Sequence, residues 1–269
     1  MKTINLIGPG RVGETLLRCV KRADLYVVQD VCGRRFERLE RLVQKLGTGR
    51  ATSLSNARAA DVWLIAVPDG AIKDVAADLA KRDILPATAV HFSGFHSAEV
   101  LAPLAQNGWQ TASAHPNLSF ADPVSAAESF AGTLVGVEGA SDALQQLFVS
   151  LGARTFPLNA ENKALYHAAA VFSNNFTTVM QAIAHQTWAK AGLSDEIGRE
   201  LSADLLRAAT ENVISMGPAA ALTGPAARGD ADVVRVETDA LSAWEPRAGK
   251  LYAELSRCAA RLKTTGNPF

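Results

Sequence analysis

Nothing in the charge of this chain singles out a polyanionic partner. Its 27 lysines and arginines are balanced by 27 aspartates and glutamates. A nucleic-acid binder usually carries a basic excess, so that class of partner is not expected. Cysteine is scarce: Cys19, Cys32 and Cys258 lie far apart and match no zinc-ligand spacing. A sparse, odd set points to a reducing compartment, with no disulfide framework and no metal. No apolar run approaches the ~20 residues of a membrane helix. Met1-Lys2-Thr3 leads into a short apolar stretch with no signal-peptide pattern, so the expected setting is cytoplasmic, without a membrane partner. Internal repeats and low-complexity segments are also missing. What remains, 48% apolar and 20% charged residues, is the balance of a folded globular chain. Its 269 residues suffice for one large domain or two modest ones.

The first half alternates between two periodicities. Short apolar stretches at residues 4–7, 26–32, 61–67, 88–92, 111–114 and 133–137 read as strands, and the third is apolar almost throughout. Strands covered on both faces of a parallel sheet look like this. Between them, helical patterns run from the glycines after residue 7 to about Lys21, over residues 36–46 and 72–80, and over 98–106. This alternation predicts an α/β fold built on a doubly wound parallel sheet. The character changes near Pro157. Beyond it, Ala-rich helical patterns cover about 160–191, 195–216, 232–244 and 245–263, with one weak strand candidate at 233–236. The expected organisation is a sheet domain over residues 1–157 and an all-helical domain over 158–269.

The first strand ends in Gly8-Pro9-Gly10-Arg11-Val12-Gly13, and a helix follows. This is the G-x-G-x-x-G spacing of a dinucleotide-binding turn. The first glycine allows the tight turn, the second lets the backbone approach a pyrophosphate, and the third lets helix and sheet pack closely. The helix N-terminus then offers unpaired N–H groups to the phosphates. At the end of the second strand an NAD site places a carboxylate for the ribose 2′-hydroxyl, and an NADP site a basic group for the 2′-phosphate. Here Asp30 lies slightly early, while Arg34 and Arg35 stand where strand turns to helix. Arginines at a helix start oppose its dipole unless they meet an anion, which favours NADP over NAD.

Other strand ends carry small or polar groups that would border the same crevice. Val67-Pro68-Asp69 and Ser93-Gly94 would line the cofactor, and His115, in His115-Pro116-Asn117, is a candidate substrate ligand or a loop hydrogen-bonder. On the long helix of the second domain, about 100° per residue puts Lys163, His167 and Asn174 within roughly 40° of one another, and Asn175 about 120° from Lys163. Ala168, Ala169 and Ala170 keep that helix slim. Lys163 or His167 could give a proton to a substrate while Asn174 orients it; a solvated helix start is the plainer alternative. In Leu222-Thr223-Gly224-Pro225-Ala226-Ala227-Arg228-Gly229-Asp230, Thr223 could cap a short helix from Pro225. Arg228 would then be free for a substrate carboxylate, unless it pairs with Asp230 or Asp232.

The glycine turn, Val67-Pro68-Asp69, His115-Pro116, Tyr166-His167 and above all residues 222–230 resemble Rossmann-like NADP-dependent oxidoreductases that carry a C-terminal helical domain of unknown function. The resemblance spans essentially the whole chain. Wider relatives are the ketopantoate reductases, pyrroline-5-carboxylate reductases, and the 6-phosphogluconate and β-hydroxyacid dehydrogenases. It implies an NADP-binding domain, a helical domain that binds substrate and forms a homodimer, and hydride transfer to a small anionic carbonyl or from a hydroxyacid, with ketopantoate the most concrete substrate. Relatives of the hydroxyacid and ketopantoate type pair a catalytic Lys with an Asn one turn later. Here the residue one turn after Lys163 is His167. Two alternatives stay open: a dinucleotide-sensing protein without chemistry, and an imine reductase of the pyrroline carboxylate type.

Overall fold

The strands run through the interior with apolar side chains on both faces, and everything else in the first half packs against them. In the computed structural model, which describes residues 1–139 and 142–269 and the side chains of all of these but 142 and 143, eight strands form one sheet. They are β1 (Lys2–Ile7), β2 (Tyr26–Cys32), β3 (Arg50–Thr52), β4 (Val62–Ile65), β5 (Thr88–His91), β6 (Gln110–Pro116), β7 (Leu134–Glu138) and β8 (Arg154–Pro157). Their order is β3-β2-β1-β4-β5-β6-β7-β8. The chain moves outward from β1 first to one side and then to the other, as a doubly wound sheet does. Neighbouring strands are parallel with one exception, the antiparallel pair β6–β7. The sheet is thus parallel-dominated, as expected, with one antiparallel pair that the sequence did not indicate. Apolar spacing reports that a strand is buried, and not which way it runs.

Alternation along each strand divides the core in two. Ile4, Leu6, Val31, Leu64 and Val90 belong to one apolar layer, and Ile7, Trp63, Ile65 and Ala89 to the other. Helices α1 (Arg11–Ala23) and α2 (Phe36–Leu46) cover the first layer through Leu16, Leu17, Leu39 and Leu42. The second is covered by α3 (Ile72–Ala80) and α4 (Ala102–Ala105) through Ile72, Leu79 and Leu104. Helices α5 (Pro123–Glu128) and α6 (Asp142–Ser150) complete the alternation. Two strands lay outside the sequence expectation. β3 is the three residues Arg-Ala-Thr, and β8 is Arg-Thr-Phe-Pro. Neither shows an apolar period, and the proline reads as a strand breaker.

The chain divides into two compact units, Met1–Asn174 and Asn175–Phe269. The first therefore keeps α7 (Lys163–Ala170) and most of the π-helical segment Val171–Phe176 that follows it. The second contains α8 (Thr177–Lys190), α9 (Asp195–Met216), α10 (Pro218–Ala221), α11 (Pro225–Arg228), α12 (Ala231–Trp244) and α13 (Pro246–Thr265). Val233 and Val236 lie in α12 and not in a strand. β-Branching lowers helix propensity by only tenths of a kcal/mol, and the helical context outweighs it. Helices α12 and α13 meet where a Cβ on Gly249 would collide with Ser242 Oγ. No apolar side chain of this unit is buried among the described residues; Ile197, Leu201 and Leu205, at i, i+4 and i+8 on α9, are 45%, 38% and 60% exposed.

Candidate active site

The glycine turn has the tight packing its spacing implies at Gly8 and Gly13. Gly8 sits at φ +89, donates its N–H to the Cys32 carbonyl at 2.9 Å, and leaves no room for a Cβ, which would lie 2.6 Å from the Ala66 carbonyl oxygen and 2.7 Å from Val67 Cγ1. A Cβ on Gly13 would collide with the Gly8 carbonyl oxygen and lie 3.1 Å from Leu6, so α1 rests directly on β1. Gly10, the residue that caps α1, would meet nothing within 4 Å. The turn is therefore closed against the protein at Gly8 and Gly13 and open at Gly10. That is the arrangement a pyrophosphate needs beside a helix N-terminus. Arg11 stands exposed in the first turn of α1, Val12 is half-buried, and Pro9 packs over Gly33.

Asp30 is absent from this edge. Its carboxylate is buried and held by Arg50 Nε at 2.9 Å, by Arg58 at 2.7 Å and by the Arg58 backbone N–H at 2.6 Å. Burial alone would raise its pKa; the hydrogen bonds from Arg58 and Arg50 outweigh that and hold it down at about 2. Arg34 and Arg35 remain exposed in the turn into α2.

The ends of β4, β5 and β6 are laced together. Ser93 Oγ donates to Asp69 Oδ2 at 2.9 Å, joining the Val67-Pro68-Asp69 loop to the Ser93-Gly94 loop. The same oxygen accepts the N–H groups of Phe95 and His96. His91, fully buried, accepts the Ser93 N–H at Nδ1 and has Nε2 3.0 Å from the Ser97 carbonyl. Burial pushes its pKa down to about 4.

Helix α7 brings its own groups to this edge. Lys163 is 1% exposed; its ammonium donates to the Ser93 carbonyl at 3.2 Å and to Ser113 Oγ. Burial lowers its pKa, and the charges of Glu138 and Asp69 pull the other way. The water-exposed helix start is thus excluded for Lys163. It acts as an interior tie from α7 to the loop after β5. One turn on, His167 Nδ1 is buried with no hydrogen-bond partner. His115 stands edge-on to it, with ring centroids 5.6 Å apart. Both rings close over Gly94, where a Cβ would collide with His167 Nδ1 and lie 2.9 Å from His115 Nε2. On its other side His115 Nδ1 is 2.9 Å from Tyr166 Oη, which also takes a hydrogen bond from Asn117 Nδ2 at 2.6 Å. Burial, aided by His167 and Lys163, lowers the His115 pKa to about 4.

The structure thus gathers Gly94, His115, Lys163 and His167, and adds Tyr166, Asn117, Ser113 and His91, which spacing alone did not single out. Asn174 lies exposed in the π-helical segment. The wider i→i+5 turn advances less than 100° per residue, so it breaks the stripe expected to join Asn174 to Lys163 and His167. In the second unit, Gly224 at φ +102, and not Thr223, caps α11, without a side-chain hydrogen bond. Arg228 pairs with Asp230 at 2.9 Å and is not free. Among the described residues, no group of three or more His, Cys, Asp or Glu is placed to hold a metal, and no helix is long and apolar enough to cross a membrane.

Residues 2–116 match the Rossmann-like domain, and residues 133–259 match a domain of unknown function, DUF2520. Among solved structures, 98% of the chain aligns with 99% of protein TM1727 from Thermotoga maritima, at 26% identity and a TM-score of 0.76. The putative NADP oxidoreductase BF3122 from Bacteroides fragilis aligns over 97% of this chain and 98% of its own, at 24% identity and a TM-score of 0.79. A 1-pyrroline-5-carboxylate reductase from Streptococcus pyogenes shares 16% identity over 95% of this chain and 98% of its own, with a TM-score of 0.64. The sequence matches none of the curated proteins. The chain therefore has a Rossmann-like domain followed by a helical region that matches DUF2520.

Proposed function

We propose that this chain is an NADP-dependent oxidoreductase that reduces a small anionic carbonyl, or oxidises the corresponding hydroxyacid, with ketopantoate the most concrete candidate. One observation carries the reading: the glycine turn, open only at Gly10, and the paired imidazoles over Gly94 lie at the same carboxyl edge of one sheet. Bound NADPH would supply a hydride to the substrate carbon. The chain's own groups then handle the oxygen. His167 gives it a proton, while His115, held neutral by burial, stays a hydrogen-bonding partner. Lys163 keeps the Ser93-Gly94 peptide in place beneath both rings. NADP is favoured because Asp30, the one carboxylate near the end of β2, is occupied by Arg50 and Arg58, while Arg34 and Arg35 stand free for a 2′-phosphate.

The test begins with cofactor titration. NADPH is expected to bind at micromolar levels, with Arg34→Ala weakening it about tenfold and leaving NADH unchanged, the scale of one charged hydrogen bond. No NADPH binding overturns the enzyme reading. Binding without oxidation across a panel of 2-oxoacids, hydroxyacids and cyclic imines leaves a sensor.

The same proposal includes a cytoplasmic homodimer joined through the helical unit. Support comes from the exposed Ile197, Leu201 and Leu205 stripe in a unit that buries no apolar side chain of its own. A helix normally hides such a stripe. Sedimentation at micromolar concentration is expected to give a dimer that Leu205→Glu dissociates. A monomeric wild type would remove this part.

A further inference from the structure

One backbone carbonyl sets the direction of a whole chain of hydrogen bonds. Leu134 O can only accept, and Asn117 Nδ2 lies 3.3 Å from it. The Asn117 amide must therefore turn its NH2, and not its oxygen, to this side. That same NH2 lies 2.6 Å from Tyr166 Oη. The phenol oxygen is thereby an acceptor on that side, and its own proton is available to the neighbour on the other side, His115 Nδ1 at 2.9 Å. A neutral imidazole that accepts at Nδ1 carries its proton on Nε2. Nε2 is the atom that closes over Gly94, facing the same spot as the unpartnered His167 Nδ1.

We infer that Tyr166 and Asn117 are positioning residues that lock His115 in its Nε2–H form, so that a permanent donor faces His167 Nδ1 across Gly94. The inference rests on the oxidoreductase reading for its chemistry, though not for its geometry. A carbonyl oxygen has two lone pairs. It can accept from His115 Nε2–H and from protonated His167 Nδ1 together. As the hydride reaches carbon, the C=O π pair moves to oxygen, and the His167 proton follows it to give the alcohol. In the reverse direction the hydroxyl proton returns to His167 while oxygen still accepts from His115. An imine nitrogen has a single lone pair and can satisfy only one of the two groups. The arrangement thus selects carbonyl and hydroxyl substrates over imine and amine ones. The depressed His115 pKa agrees with a ring that stays neutral through this cycle.

The decisive measurement is 15N NMR of the imidazole nitrogens in the full chain at neutral pH, without substrate. For His115 in the wild type, Nε2 is expected to be pyrrole-like and Nδ1 pyridine-like. In Asn117→Asp the carboxylate can only accept, Tyr166 donates to it, and His115 Nδ1 must donate in turn; the two signals should exchange. In Tyr166→Phe, Nδ1 has no partner and both signals should move to averaged positions. A side chain that only supports the fold would leave these signatures unchanged. A wild-type proton on Nδ1, or a wild-type signature kept in both variants, overturns the inference while leaving the oxidoreductase reading intact. Reduction of the cyclic imines in preference to the 2-oxoacids of the panel also overturns it. The expected signature in a chain that oxidises no NADPH with any of them would instead remove the oxidoreductase reading and leave the lock standing.

Discussion

Gly8→Ala is expected to destabilise the chain by roughly 2–4 kcal/mol and to weaken NADPH binding by on the order of a hundredfold, whereas Gly10→Ala should leave stability within about 0.5 kcal/mol and still weaken NADPH about tenfold. The contrast follows from what each new methyl group would meet. At Gly8 the backbone has φ +89, a region in which a side chain alone costs ~1–2 kcal/mol. The Cβ would also lie 2.6 Å from the Ala66 carbonyl oxygen, a backbone atom held in place by β4 and unable to give way cheaply. The turn would have to open, moving the start of α1 and the N–H groups it presents. At Gly10, φ is −76 and nothing lies within 4 Å of the added carbon. Alanine fits the free protein there, and its methyl group occupies the space through which a pyrophosphate would approach. Urea titration reads the first effect and NADPH titration the second. A Gly10→Ala variant that binds NADPH as well as the wild type would show that the turn serves the fold alone.

Acid should unfold the protein through two histidines before its carboxylates matter. His91 and His115 both have pKa values lowered from 6.5 to about 4, in each case first by burial. In the native chain they stay neutral down to that value; in the unfolded chain they take up protons near 6.5. Between these limits the unfolded state binds more protons, so stability falls as pH falls. At ~1.4 kcal/mol per pKa unit, each histidine contributes about 3 kcal/mol at neutral pH that is lost by about pH 4. Asp30 acts lower: its pKa is held at about 2, and its contribution disappears only below the ordinary carboxylate value of 3.8. Urea unfolding measured from about pH 7 down to about pH 4 should show the loss, and His91→Gln should remove about half of the slope. A free energy of unfolding that stays level across this range would contradict the buried, neutral state of both rings.

The amino-acid sequence by itself determined what depends on neighbours along the chain. Residues three and four apart share a helix face and residues two apart share a strand face, so α2, α3, α9 and β2 were legible from their apolar spacing. The glycine turn was legible in part for the same reason: the positive φ at Gly8 and the contact of Gly13 with the Gly8 carbonyl arise within six consecutive residues, whereas the clash of a Gly8 Cβ with Ala66 depends on β4 lying alongside. The tertiary structure decided everything that depends on which strands lie side by side. Lys163 became an interior tie because Ser93, just past the end of β5, and Ser113, within the adjacent β6, both lie beneath it. His115 and His167 became a pair because Gly94 leaves room for both. Asn174 left the stripe because a π-helical segment changed the helical phase, and Arg228 lost its freedom to Asp230, two residues away across a left-handed Gly229. Local sterics act through backbone that is always present. Contacts between residues fifty or seventy positions apart exist only once the order of strands in the sheet is set, and apolar periodicity carries no information about that order.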